Sequence, residues 1–187
     1  MKKDIHQKRY EAHQKKKKKQ LSELLENRVS QRIFNGEPIP RQDINHLLKN
    51  MAKAPSSCGR QAVYAKVIED RTEKEMLGAL LVGGVGWIHR ADKIILLFAD
   101  EMAYKAGGER NFMPYLDAGA VLATAYLICE DMGIGCCFVN PNIRVKNHSI
   151  FGERFNQWGN IFCGALAVGY YSKRPKPSPK KKSIIIK

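Results

Sequence analysis

The order of the predicted elements points to an α+β fold. Helical and strand-like segments interleave along the chain with few neat strand–helix–strand units. Lys93-Ile94-Ile95-Leu96-Leu97-Phe98 is a continuous apolar stretch of strand length, the pattern of a strand buried on both faces. Residues 114–132 are rich in Ala and Leu, and Leu116, Ala120, Ala123, Leu127 and Ile128 fall near helical spacing.

Each element has its own signal. Leu21, Leu24 and Leu25 form a short apolar stripe, so a helix is expected to run into Asn27. Pro38 and Pro40 bracket a turn. Ile44, Leu47, Leu48 and Met51 then follow helical spacing up to Ala54-Pro55. Val63, Ala65 and Val67 alternate as in a strand. Thr72-Glu73-Lys74-Glu75 reads as a capping box opening a short helix. Residues 100–113 read as a polar connection, and Gly133 is placed to end the helix that follows. Residues 134–139 and 161–171 read as strands. Pro175, Pro177 and Pro179 predict an extended tail.

The 187 residues fit one domain, and 44% hydrophobic content is ordinary for a globular chain. The net charge of +14 suggests a nucleic-acid binder until it is located. Residues 1–20 carry nine Lys/Arg against two acids, and residues 172–187 carry seven Lys/Arg and no acid. The body, 21–171, holds sixteen of each sign, so the basicity sits in two extensions and not on a folded face. No aromatic residue beyond Tyr10 accompanies the Lys15–Lys19 block, which argues against base stacking on nucleic acid. The five cysteines form no C-x-x-C pair and the start is polar, so a reducing, cytoplasmic setting is expected. No apolar run reaches the ~18 residues of a membrane span. The histidines lack metal-like spacing, so no metal site is expected. Gly83-Gly84-Val85-Gly86 lacks the full G-x-G-x-x-G spacing and reads as a flexible turn; Trp87 beside it reads first as an ordinary core or surface residue, the alternatives being a cover over a bound cofactor or a subunit contact.

Two stretches carry chemistry. In Arg28-Val29-Ser30-Gln31-Arg32-Ile33-Phe34, alternation puts Arg28, Ser30 and Arg32 on one side of an extended segment. Two guanidinium forks around a hydroxyl suit a phosphate. Taken alone, the same residues also fit surface arginines on a loop. The second stretch, Ala54-Pro55-Ser56-Ser57-Cys58-Gly59-Arg60-Gln61, is a small-residue turn with hydroxyls and open amides, suited to the polar edge of a flat ring. A phosphate at one end and a heterocycle at the other describe flavin mononucleotide (FMN).

With these motifs, Asp117-Ala118-Gly119-Ala120 as a helix start, Gly133-Ile134-Gly135-Cys136 and Ala165-Leu166-Ala167-Val168-Gly169-Tyr170 complete a series in one order. In that series the chain resembles the FMN-dependent nitroreductase family over roughly residues 25–182. The resemblance implies a nitroreductase-type sandwich, a mostly antiparallel central sheet flanked by helices. It also implies an intertwined homodimer with FMN in the interface. The extension 172–187 would cross to the partner, with Ser183-Ile184-Ile185-Ile186 adding a strand there. Helix 114–132 is the candidate dimer core, since small residues permit close approach.

The resemblance assigns the FMN phosphate to Arg28, Val29, Ser30 and Arg32, helped by Lys180 and Lys182. It sets Pro55, Ser56, Ser57, Gly59 and Gln61 against the ring, and brings backbone amides at Asn140, Pro141 and Asn142 to flavin N5. Gly59 stands where the family often has Asn. The implied activity is FMN-dependent oxidoreduction. NADH or NADPH reduces the flavin, and a small organic acceptor such as a nitroaromatic or quinone is reduced in turn, in ping-pong order. No catalytic side chain is required, because the cofactor carries the chemistry. The alternative is a flavin-fold binding protein whose lysine-rich ends hold nucleic acid or an anionic membrane surface.

Overall fold

A computed structural model of the chain describes residues 20–105, 107–156 and 160–175. Helix α1 covers residues 20–27. It is followed by α2 (Arg41–Met51), β1 (Val63–Ile68), α3 (Arg71–Leu80), β2 (Lys93–Ala99), α4 (Glu109–Asp131), β3 (Gly135–Val139), α5 (His148–Phe155) and β4 (Ile161–Gly169). The four strands form one antiparallel sheet in the order β1-β2-β4-β3. The apolar run of β2 follows from its place inside the sheet.

The two-residue period of β2 sorts its side chains onto two cores. Ile95, Leu97 and Ala99 face α2 and α4, packing with Leu47, Met51, Ala118, Leu122 and Ala125. Ile94, Leu96 and Phe98 face α3 and α5, packing with Leu77, Leu80, Phe151 and Phe155. The result is a helix–sheet–helix sandwich with helices on both faces.

Several sequence expectations shift by a few residues for identifiable reasons. Helix α4 begins at Glu109, not Pro114, and so takes in part of the expected polar connection. Side-chain ties secure its first turn: Glu109 pairs with Arg60 at 2.8 Å and Arg110 with Glu101 at 3.2 Å. Asp117 is therefore in mid-helix, not at a helix start. The cap of α3 is Asp70, whose carboxylate accepts from Glu73 N at 2.9 Å, two residues before the expected Thr72. The glycine turn at 83–86 is packed: a Cβ on Gly84 would lie 2.8 Å from Ile88. Gly133 does end α4, with Gly133 N and Ile134 N returning to the carbonyls of Glu130 and Cys129.

At 23 residues and a mean hydropathy of 1.4, α4 has the length and composition of a membrane span, against the expectation of no such run. It is the central helix of the sandwich, in contact with α2 and all four strands, and it carries the buried Asp117. These contacts account for its apolarity.

The sheet edges differ. On β3, Ser30 forms a parallel bridge to Cys136 and Gln31 N donates to Cys136 O at 2.8 Å, so the segment after α1 covers part of that edge. The outer edge of β1 has no strand partner among the described residues. Between β2 and β4 the register shifts at Leu97/Phe98, opposite Gly164. Gly164 has φ +127°, and a Cβ there would lie 2.4 Å from the Phe138 ring and 2.8 Å from Val139 O. Gly164→Ala is expected to lower stability by about 3 kcal/mol through strain and overpacking, read as a lower urea midpoint with an unchanged m-value.

Candidate functional site

The 28–34 segment leaves α1 and runs extended along β3. Its alternation is realised. Gln31 points inward, 2% exposed, and donates to Ile33 O and Lys173 O. Ser30 points the other way, with Oγ 3.1 Å from the Tyr126 hydroxyl. The Arg28 guanidinium lies over the Tyr126 ring at 5.3 Å, and Arg32 lies over the Trp87 ring at 5.8 Å. Val29 is half-buried between them. Among the described residues neither arginine forms an ion pair with a carboxylate. Nearby, burial pushes the Cys137 thiol up against the pull of Arg32, so it stays neutral. The edge therefore carries two uncompensated cations and a hydroxyl with no internal anion, a donor set that fits a phosphate.

The Pro55–Gln61 turn is built around a buried carboxylate. Asp117, 5% exposed, accepts Ser57 N–H at 2.8 Å and the Tyr104 hydroxyl at 2.9 Å. Ser56 Oγ accepts Gln61 N–H at 2.8 Å, and Ser57 Oγ accepts from Arg60 at 3.1 Å. Both serine hydroxyls thus keep their own protons for an outside acceptor. Arg60 lies over the Tyr104 ring at 5.7 Å and pairs with Glu109. Cys58, Gly59 and Gln61 all have positive φ, at 52°, 65° and 50°. Glycine and asparagine are the residues that tolerate this conformation, so Gly59 keeps the backbone course while supplying no side-chain amide. Beside the turn is a cavity of 90 Å³ lined by Pro55, Ser56, Gln61, Asp117 and neighbours, too small for a three-ring heterocycle.

After β3 the chain turns at Asn140-Pro141-Asn142. Asn140 Oδ1 accepts Asn142 N–H at 3.1 Å, and Asn142 O accepts from Val82 N at 3.0 Å. Phe138 N–H is taken by Tyr126 at 2.9 Å, and Pro141 has no N–H. Of the three expected positions, Asn142 N–H is engaged within the turn and Pro141 has none, which leaves Asn140 N–H as the backbone donor for the expected role.

One chain does not bring these groups onto a single surface. Asp117 holds the turn and Tyr126 holds the arginine segment, and the two residues are nine apart on α4. That spacing is about two and a half turns and roughly 13 Å, which puts them on opposite flanks of the helix. Lys180 and Lys182 lie outside the described residues, as do Lys15–Lys19 and Ser183–Ile186. The tail is described to Pro175; Arg174 bonds Asn27 O and Glu130 there, both at 2.5 Å.

The model of the nitroreductase family matches residues 25–85 and 79–170. The chain belongs to the nitroreductase family. It is 27% identical over 129 residues to an FMN reductase [NAD(P)H] of Bacillus subtilis (strain 168), a match covering 62% of this chain and 51% of that protein. It is 25% identical over 173 residues to a Cr(VI) reductase of Pseudomonas sp. (strain G-1), covering 86% and 70%. The chain thus spans about half the length of the first of these relatives. A Desulfovibrio desulfuricans protein solved in complex with FMN shares the fold, with TM-score 0.72, 20% identity, and coverage of 88% of this chain and 92% of that one.

Sequence reasoning missed Tyr126 and Tyr104, gave Arg60 no role of its own, and did not pair Trp87 with Arg32. No local motif marks them: Tyr126 meets Ser30 across 96 positions, Arg60 meets Glu109 across 49 and Tyr104 meets Asp117 across 13. Two outcomes test the turn. Asp117→Ala strands two buried donors and is expected to cost about 3 kcal/mol in urea unfolding, against about 1 for Tyr104→Phe. Burial first, then the bond to Asp117, pushes the Tyr104 hydroxyl above its usual range, and burial pushes the Cys163 thiol from 9.0 up to about 12. Both groups fold in their protonated forms. Their contribution is complete below about pH 9 and is lost as pH rises toward 12, so the melting temperature should fall across that window, and less steeply in Cys163→Ala.

Proposed function

We propose that this nitroreductase-family chain is an FMN-dependent NAD(P)H oxidoreductase. The observation that carries the reading is the cationic, acid-free edge formed by Arg28, Ser30 and Arg32 along β3. It matches a dianionic phosphate, and the names of the relatives point the same way. Bound FMN would supply hydride transfer, from NADH or NADPH and then to a small organic acceptor such as a nitroaromatic or quinone, in ping-pong order. The chain's own residues bind and orient. Arg28, Val29, Ser30 and Arg32 hold the phosphate. Pro55, Ser56, Ser57, Gly59 and Gln61 border the ring. Asn140 offers its N–H to N5 at the Asn140-Pro141-Asn142 corner. Lys180 and Lys182 reach the phosphate from a tail that Arg174 starts beside Asn27.

Because the two halves sit on opposite flanks of α4, the complete pocket takes the arginine segment from one chain and the Pro55–Gln61 turn from a second copy. The outward face of α4 supports a homodimer: Phe112 and Leu116 are 51% and 61% exposed, and Gly119 and Ala123 continue the same stripe. The open β1 edge supports strand exchange. Beside it runs a groove of 670 Å³ lined by Tyr64, Lys66, Phe98 and Phe155, suited to Ser183–Ile186 of the partner copy. Five free cysteines fit a reducing cytoplasm.

The purified protein should be yellow and bleach on anaerobic addition of NADH or NADPH. Arg28→Ala with Arg32→Ala should lose FMN on dialysis while keeping its melting temperature within a few degrees. Stoichiometric retention of FMN would remove these arginines from the site. Truncation after Pro175 keeps the Lys173 and Arg174 contacts, and should shift the protein toward monomer in sedimentation and weaken FMN binding.

A further inference from the structure

We infer that Tyr126 is a positioning residue for the phosphate site, fixing the Ser30 hydroxyl so that its proton points outward to the anion; this rests on the FMN reading above. The geometry is a chain of three groups. Phe138 N–H, on the outer edge of β3, donates to the Tyr126 hydroxyl oxygen at 2.9 Å. Ser30 Oγ lies 3.1 Å from the same hydroxyl in a pair where either oxygen can donate; with the phenol already accepting from Phe138, the inferred arrangement has the phenol donating to Ser30. In that arrangement Ser30 accepts from behind, and its own proton is left for the anion on the side of Arg28 and Arg32, with the neutral Cys137 thiol beside it as a weak competing acceptor. A hydroxyl held this way is a committed donor. An unheld one rotates, and pays the entropy of choosing an orientation when the anion arrives. The same ring carries Arg28 on its face at 5.3 Å, so one side chain orients two of the three phosphate donors. Burial keeps the phenol protonated well above neutral pH, as the relay requires.

The inference is specific to the phosphate. FMN and riboflavin share the ring and the ribityl chain and differ in that group alone, so their binding ratio isolates it. Tyr126→Phe keeps the ring beneath Arg28 and removes the hydroxyl. The dissociation constants of the flavin-stripped protein for FMN and riboflavin are measured by fluorescence quenching, with melting temperatures as the check on folding. Expected is an FMN affinity lower by about tenfold in Tyr126→Phe with riboflavin affinity unchanged. Ser30→Ala, which leaves the Tyr126–Phe138 bond intact and serves if Tyr126→Phe fails to fold, should show the same selective loss. The double variant should lose no more than either single one. Equal weakening of both ligands by Tyr126→Phe, or additive losses in the double variant, would overturn the role of Tyr126 while leaving the flavin site standing. A wild-type protein that binds neither flavin overturns the oxidoreductase reading and this inference with it.

Discussion

A helix of fixed period holds both halves of the candidate site, and its geometry governs how they can meet. Tyr126 engages the arginine segment and Asp117 engages the Pro55–Gln61 turn. Both are rigidly seated, because the stripe between them, Ala118, Leu122, Ala125 and Cys129, is packed into the sheet core. Rotating α4 to bring the two flanks together would expose that stripe. The separation is therefore built into the core and does not relax in a single chain. In the proposed site a second copy joins the arginine edge of one chain to the Pro55–Gln61 turn of another, and the exposed apolar side of α4 offers it a surface.

The separation also sorts charge. Among the described residues the Arg28–Arg32 edge pairs with no carboxylate, and its thiol is kept neutral by burial. The turn, by contrast, is organised by the Asp117 carboxylate and by the Arg60–Glu109 pair. Had Asp117 stood beside Arg28, it would have neutralised the cationic edge. Placed on the far flank, it can hold the strained backbone of residues 57–61 without competing for the same cations.

What the sequence disclosed follows the range of the interactions involved. The strands were legible because burial imposes a two-residue period that is local, and the Arg28-Ser30-Arg32 alternation was legible for the same reason. The end of α4 at Gly133 is a local signal too. The early start of α4 was not, because it depends on Arg60 and Glu101 reaching in from elsewhere. Helix α5 gave no advance signal: its apolar face is short, and Phe151 and Phe155 find their partners on other elements. Tyr126 sits in an Ala- and Leu-rich stretch where an aromatic residue reads as core, yet its hydroxyl meets Ser30 across 96 positions. The departure at Gly59 was visible as a substitution, but its tolerance became intelligible only with the positive φ.

The segment after α1 joins the site to the end of the chain. Its outward residues form the cationic edge, while its inward residue, Gln31, grips the Lys173 carbonyl and packs against Gly135 and Tyr171. Asn35 N bonds Tyr170 O at 2.9 Å, and Arg174 returns to Asn27. The described tail passes within one residue of Arg28, so the register of residues 28–35 against β3 also sets the path of residues 171–174. A slip of one residue would turn Gln31 outward and bury the arginines, and both connections would be lost together. The inward glutamine thus guards the outward arginines: it is the buried half of an alternation whose exposed half forms the cationic edge.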